Sequence, residues 1–129
     1  MKKKIVVIDD DPMIRNLVQA MLEAEGFEVT LAEDGKKGID TIESTIESDE
    51  ITLIVCDVVM PEMNGLDVVT HLKEKPETQG IPILMLTGED KAEDIMAGYS
   101  VGADYYITKP FTRQQLLFGL EIVLNGLEN

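Results

Sequence analysis

A second cysteine is missing from these 129 residues, so the lone Cys56 excludes an internal disulfide and points to a reducing compartment, the cytoplasm. Basic charge is scarce: 11 Lys and Arg face 25 Asp and Glu, a formal net charge of −14. A body of that sign repels phosphate backbones and anionic lipid, which excludes nucleic-acid and membrane-surface binding unless a local basic patch supplies it. The only run of three basic residues, Lys2-Lys3-Lys4, leads straight into Ile5. No apolar stretch approaches the roughly 18 residues that span a bilayer. The run Ile5–Ile8 is too short for the core of a signal peptide and ends in three aspartates. Histidine is nearly absent as well. His71 stands alone, beside Thr70 on the polar side of a helix, and reads as a surface residue rather than a site of phosphohistidine chemistry. Long linkers are lacking too, so the expectation is one domain over residues 1–129.

What is present is a core. Hydrophobic residues make up 44% of the chain, too many for a disordered acidic tail. A chain of this size buries roughly two-thirds of its unfolded surface. Ile5–Ile8, Leu53–Cys56 and Ile83–Leu86 are apolar blocks without polar alternation, as in strands buried on both faces. Val29 and Leu31 alternate with polar neighbours and predict an edge strand, and Tyr105–Ile107 is a short fifth.

Helices lie between them. Ile14, Leu17, Val18, Met21 and Leu22 trace one face, with Asp11 as cap, Pro12 in the first turn and Gly26 as stop. A second helix follows Asp34-Gly35 with Ile39, Ile42 and Ile46 inward, and contains the echo Thr41-Ile-Glu-Ser, Thr45-Ile-Glu-Ser. A third starts at Asn64. Asp90 with Glu93, and Thr112 with Gln115, read as capping boxes of a fourth helix, weakened by Gly98 and Gly102, and a fifth that ends near Asn125-Gly126. Met13, Met60 and Met63 read mostly as packing residues, and Cys56 as buried and inert. Five β-α units predict an α/β fold, a doubly wound parallel sheet with helices on both faces.

Polar residues follow four of the strands. Asp9 and Asp10 follow the first, Asp57 the third, Thr87 the fourth, and Lys109-Pro110 comes soon after the fifth. In a parallel sheet the carboxyl ends share one edge, where ligands of open α/β folds bind. Three carboxylates gathered there repel, and raise a pKa or recruit a cation. Hard oxygen ligands suit Mg2+. With a cation present, one carboxylate can attack phosphorus, while a threonine hydroxyl and a lysine ammonium neutralise the phosphoryl oxygens. The constellation describes a phosphoryl-accepting site.

The blocks Val7-Ile8-Asp9-Asp10, Val55-Cys56-Asp57-Val58-Val59-Met60-Pro61, Met63-Asn64-Gly65, Leu86-Thr87-Gly88 and Lys109-Pro110-Phe111 closely resemble the receiver domain of bacterial two-component response regulators, over essentially the whole chain. The resemblance implies a flavodoxin-like sheet of five strands in the order 2-1-3-4-5, flanked by five helices. It implies that Asp57 is the phosphoacceptor, that Asp9, Asp10, Asp57 and the backbone carbonyl of Val59 bind magnesium, and that Thr87 moves towards the phosphoryl group while Lys109 pairs with it. Tyr106 matches the aromatic that rotates inward on activation, Gly88 the small residue beside Thr87, and the Lys109–Pro110 bond is commonly cis. Val59 and Glu89 occupy positions that tune hydrolysis.

The implied function is a signalling switch, not an enzyme, apart from its own phosphorylation and dephosphorylation chemistry. The donor is a histidine kinase or a histidine phosphotransfer protein. For a receiver that stands alone, the output is binding of a downstream protein through the face of the fourth helix, fifth strand and fifth helix, with Tyr99, Tyr106, Phe111 and Gln114, or passage of the phosphoryl group onwards. Two other readings stand beside it. An aspartate-based phosphohydrolase of the haloacid-dehalogenase type would use the acid-x-acid of Asp9 and Asp11, but Met13 and Ile14 do not continue that motif and no cap segment is present. An interaction module that has lost phosphorylation would leave the coincidence of five motif residues unexplained.

Overall fold

The unbroken apolar runs become the inner strands of a sheet. In the computed structural model, which describes residues 2–88, 96 and 99–126, β1 (Lys4–Ile8), β3 (Ile51–Asp57) and β4 (Ile83–Thr87) lie inside β2 (Glu28–Ala32) and β5 (Tyr105–Thr108). All neighbours pair in parallel, in the order β2-β1-β3-β4-β5. The alternating run is the edge strand β2, as its pattern demands.

The two-residue period of the strands divides the core. Ile5, Val7, Leu53, Val55, Leu84 and Leu86 face one way, onto Val18 and Leu22 of α1 (Pro12–Ala24) and Leu116, Leu120 and Val123 of α5 (Arg113–Gly126). Val6, Ile8, Ile54, Cys56, Ile83 and Met85 face the other, onto Ile39 and Ile42 of α2 (Gly35–Thr45) and Val68, Val69 and Leu72 of α3 (Gly65–Lys73). Met96 and residues 99–101 have helical backbone and are the described part of α4. Gly102, at φ 114, follows it. The cap formed by Asp90 and Glu93, the position of Gly98, and Glu89 lie outside the described residues.

Caps hold the helix starts. Asp11 accepts from the Met13 N–H at 2.9 Å, and Asp34 from the Lys37 N–H at 2.8 Å. Thr112 and Gln115 bond reciprocally, as predicted, at 2.8 and 3.1 Å. Asn64 and Asp67 form a second such box at α3 that the Asn64 start alone had not announced.

Three expectations need correction. Met13 is 76% exposed rather than packed, because Ile14, one residue later on the helix, takes the core-facing position. Leu17, expected on the buried face, is 42% exposed and sits at its margin. The echo does not lie within the second helix: α2 ends at Thr45, whose carbonyl accepts from the N–H groups of both Ser48 and Asp49, so the second copy forms a turn.

Glu62, in the loop after β3, has φ 66, a left-handed conformation that disfavours a side chain. Replacing it with Gly is expected to stabilise the fold by about 0.5–1 kcal/mol, the relief of strain exceeding the entropy that glycine adds to the unfolded chain. A lower urea midpoint for Glu62→Gly would refute this.

Candidate functional site

Every strand ends at the same edge, so the residues at or just beyond the ends of β1, β3, β4 and β5 become neighbours. Asp9 follows β1 and extends its pairing by one residue, its N–H donating to the Ala32 carbonyl at 3.2 Å. The Asp9 side chain is fully buried. Its Oδ1 accepts from the Asp11 N–H at 2.9 Å and its Oδ2 from Lys109 Nζ at 3.0 Å. The next residue, Asp10, is exposed.

Asp57 closes β3 and is 4% exposed. Its Oδ1 lies 3.1 Å from Lys109 Nζ, so one ammonium bridges two buried carboxylates. Lys109 is held there by its backbone N–H, which donates to the Thr87 carbonyl at 2.6 Å; its bond to Pro110 is cis. Thr87 closes β4 and is buried. One carboxylate oxygen from each of Asp9, Asp10 and Asp57 lies within 4.8 Å of the others. Asp9, Asp10, Asp57, Thr87 and Lys109 were the positions at or just after strand ends that the sequence pattern singled out, and the fold assembles these acids, the threonine and the lysine on one edge.

Three carboxylates that share the Lys109 ammonium leave the site, among the described residues, short of cation. Burial, then the charge of Asp9, pushes the Asp57 carboxyl up to about 6, with Lys109 acting against the rise. Burial alone would lower the Lys109 ammonium, but its contacts with Asp9 and Asp57 outweigh that and hold it above the usual lysine range. The donor set is all oxygen, and the exposure of Asp10 leaves room for water, a combination that fits a small hard divalent cation.

The loop after Asp57 is tightly folded. Val58 donates its N–H to Leu86 at 2.9 Å and accepts from the Gly65 N–H at 2.8 Å. Val59 is 61% exposed. A Cβ built on Gly88, beside Thr87, would meet nothing within 4 Å among the described residues. Tyr106 is half-buried against the core, its ring 5.2 Å from that of Tyr99. Phe111 is half-buried and Gln114 exposed.

Other singled-out residues stand apart. His71 is half-exposed, 3.6 Å from Glu43 of α2, and takes no part in the acid cluster. Cys56 is buried, and burial followed by the charge of Asp57 drives its thiol far above the usual range, so it is inert. A wide groove of about 1040 Å3 is lined by Lys4, Ile51 and Pro82, at the amino ends of the strands and thus at the opposite edge. Sequence reasoning missed Arg15, whose Nη1 donates to the Asp9 carbonyl at 2.8 Å. The available signal was its isolation: it is the only cationic residue between Lys4 and Lys36.

Comparison with known proteins agrees with this arrangement. The profile of the response regulator receiver domain matches residues 5–121. The transcriptional regulatory protein CpxR of Escherichia coli is 36% identical over 121 residues, 94% of this chain and 49% of that protein. The probable transcriptional regulatory protein TcrX of Mycobacterium tuberculosis is 36% identical over 120 residues, 93% of this chain and 49% of that one. The chain thus spans about half the length of these curated relatives. Among solved structures, the chemotaxis response regulator CheY4 of Vibrio cholerae superimposes with a TM-score of 0.87 at 33% identity, over 96% of this chain and all of that one. The receiver domain of the Francisella response regulator 1452 gives 0.84 at 28% identity, over 98% and 99%. Fold, acid cluster and profile converge, and the chain belongs to the response regulator receiver domains of two-component signalling.

Proposed function

We propose that Asp57 is the phosphoacceptor of a signalling switch that takes a phosphoryl group from a phosphohistidine on a kinase or a phosphotransfer protein. The observation that carries this reading is the Lys109 ammonium lying between Asp9 and Asp57, 3.0 and 3.1 Å away, at the edge where three carboxylates meet. In the transfer an Asp57 oxygen attacks phosphorus, an O–P bond forms, the N–P bond breaks, and the imidazole departs with the electron pair. Lys109, already bonded to one Asp57 oxygen, swings its charge onto a phosphoryl oxygen, and the buried Thr87 hydroxyl donates to another.

Asp10 and Asp57, with the Val59 carbonyl, would hold Mg2+, which supplies positive charge against the incoming phosphoryl oxygens. Asp9 has both oxygens engaged by Asp11 and Lys109, which suits an orienting role better than direct ligation. The same engagement counts against Asp9 as the nucleophile of a phosphohydrolase. The domain covers residues 1–129, works in the cytoplasm and turns over no separate substrate. Its acidity keeps it from nucleic acid and from membranes, and no helix among the described residues is long and apolar enough to cross one.

Phosphorylation then favours a second arrangement of α4, β5 and α5 in which Tyr106 turns inward, and the surface of Tyr99, Tyr106, Phe111 and Gln114 meets a protein target. A full switch from 1:99 to 99:1 requires about 5.5 kcal/mol of preference for the active state. The test is incubation with acetyl phosphate, with and without magnesium, followed by peptide mass mapping. Magnesium-dependent gain of one phosphoryl mass on the peptide containing Asp57 is expected. Labelling at another residue, or labelling indifferent to magnesium, overturns the reading.

A further inference from the structure

Asp9 is held at each of its four polar atoms. Its N–H donates to Ala32, Oδ1 accepts from the Asp11 N–H, and Oδ2 accepts from Lys109. Its carbonyl oxygen accepts from Arg15 Nη1 at 2.8 Å. That carbonyl shares a rigid peptide plane with the N–H of Asp10. Its direction therefore fixes how Asp10 leaves the buried strand end. Asp10 itself is exposed, so its carboxylate depends on the backbone for its aim.

We infer that Arg15 is a positioning residue for cation binding: through the Asp9–Asp10 peptide it keeps the Asp10 carboxylate turned towards that of Asp57. The inference rests on the proposed role of Asp10 as a magnesium ligand. Arg15 lies one turn into α1, where its N–H bonds the Asp11 carbonyl at 3.0 Å. Helical side chains lean towards the amino end, so a long side chain at this position reaches back over the acid-bearing loop. Arg15 is half-buried, and its guanidinium offers donors in a fixed plane, which lock the carbonyl in direction as well as in distance.

A bystander cation would act in the opposite sense. Arg15 repels a divalent ion, so if charge were its whole contribution, removing it would tighten magnesium binding. The positioning role predicts weaker binding, of the size seen when groups behind a metal ligand are lost.

The experiment is magnesium titration of wild type, Arg15→Met, Arg15→Lys, Asp10→Ala and the double variant Asp10→Ala/Arg15→Met, read by calorimetry and by backbone amide shifts well below each melting temperature. Arg15→Met is expected to weaken magnesium about 10-fold, with Arg15→Lys intermediate. In the Asp10→Ala background the same change is expected to have no further effect, because the group it acts through is gone. Unchanged or tighter binding by Arg15→Met overturns the inference, as does an equal loss in both backgrounds. If Asp10→Ala binds magnesium as wild type does, the reading of Asp10 as a ligand fails instead, and the inference with it.

Discussion

Replacing Asp57 with Asn is expected to reduce phosphoryl labelling to background and, without divalent metal, to make the folded protein more stable near pH 7.5. The first effect is the loss of the attacking oxygen. The second follows from linkage. The carboxyl titrates near 6 in the folded chain, against an ordinary value of 3.8, because burial and the charge of Asp9 outweigh Lys109. Below about pH 4 both folded and unfolded states hold the proton and the site costs nothing. Between about 4 and 6 the unfolded chain gives up the proton first, so stability falls, and above 6 the loss is complete. Two pH units correspond to about 3 kcal/mol, an upper bound because Asn also deprives Lys109 of one partner.

The expected gain for Asp57→Asn at pH 7.5 in chelator is thus about 1–3 kcal/mol, shrinking towards zero near pH 4. Urea titrations of both proteins from pH 4 to 8 would measure it, the difference between them cancelling groups they share. Magnesium should narrow or reverse the gap, because it binds the folded wild type and so stabilises it by mass action. A variant less stable than wild type at pH 7.5 in chelator would contradict the burial and crowding that define the site.

Asp57 was legible in the sequence for the reason that makes it costly. Apolar runs without polar alternation mark strands buried on both faces, and an acid directly after such a run is placed by topology alone. Asp9, Asp10, Thr87 and Lys109 were legible by the same rule, and Asp11, Asp34 and Thr112 by the chemistry of helix ends. What stayed hidden depends on distances across the chain. Arg15 is an unremarked cation until the fold brings its guanidinium to the Asp9 carbonyl. Asp9 and Asp10 look equivalent in sequence, yet the pleat buries one and exposes the other. Met13 and Leu17 carry the right hydrophobicity for the core, but a helix lying on one sheet face buries only the middle of its apolar stripe. The Thr41–Ser48 echo keeps a helical composition past Thr45, where turn bonds to the Thr45 carbonyl decide otherwise.

Gly65 shows how far such a hidden constraint reaches. Gly65→Ala is expected to destabilise the protein by about 2–4 kcal/mol, although alanine is the better helix former, by about 0.5–1 kcal/mol in a helix interior. A Cβ at this position would sit 2.2 Å from the Asp57 carbonyl oxygen, 2.8 Å from Met85 Cε and 2.9 Å from Val58 Cα. Met85 can rotate away; the two backbone atoms cannot. Relief requires the start of α3 to withdraw from the end of β3, which stretches the 2.8 Å bond from the Gly65 N–H to the Val58 carbonyl and tilts the peptide that carries Asp57. The strain therefore lands on the acid cluster, and magnesium binding should weaken together with stability. Gly88→Ala is the control, since its Cβ would meet nothing within 4 Å among the described residues. Urea unfolding and magnesium titration of the two variants would separate the cases: a Gly65→Ala protein as stable as Gly88→Ala would show that the β3–α3 junction yields without cost, and that the close approach does not hold Asp57 in place.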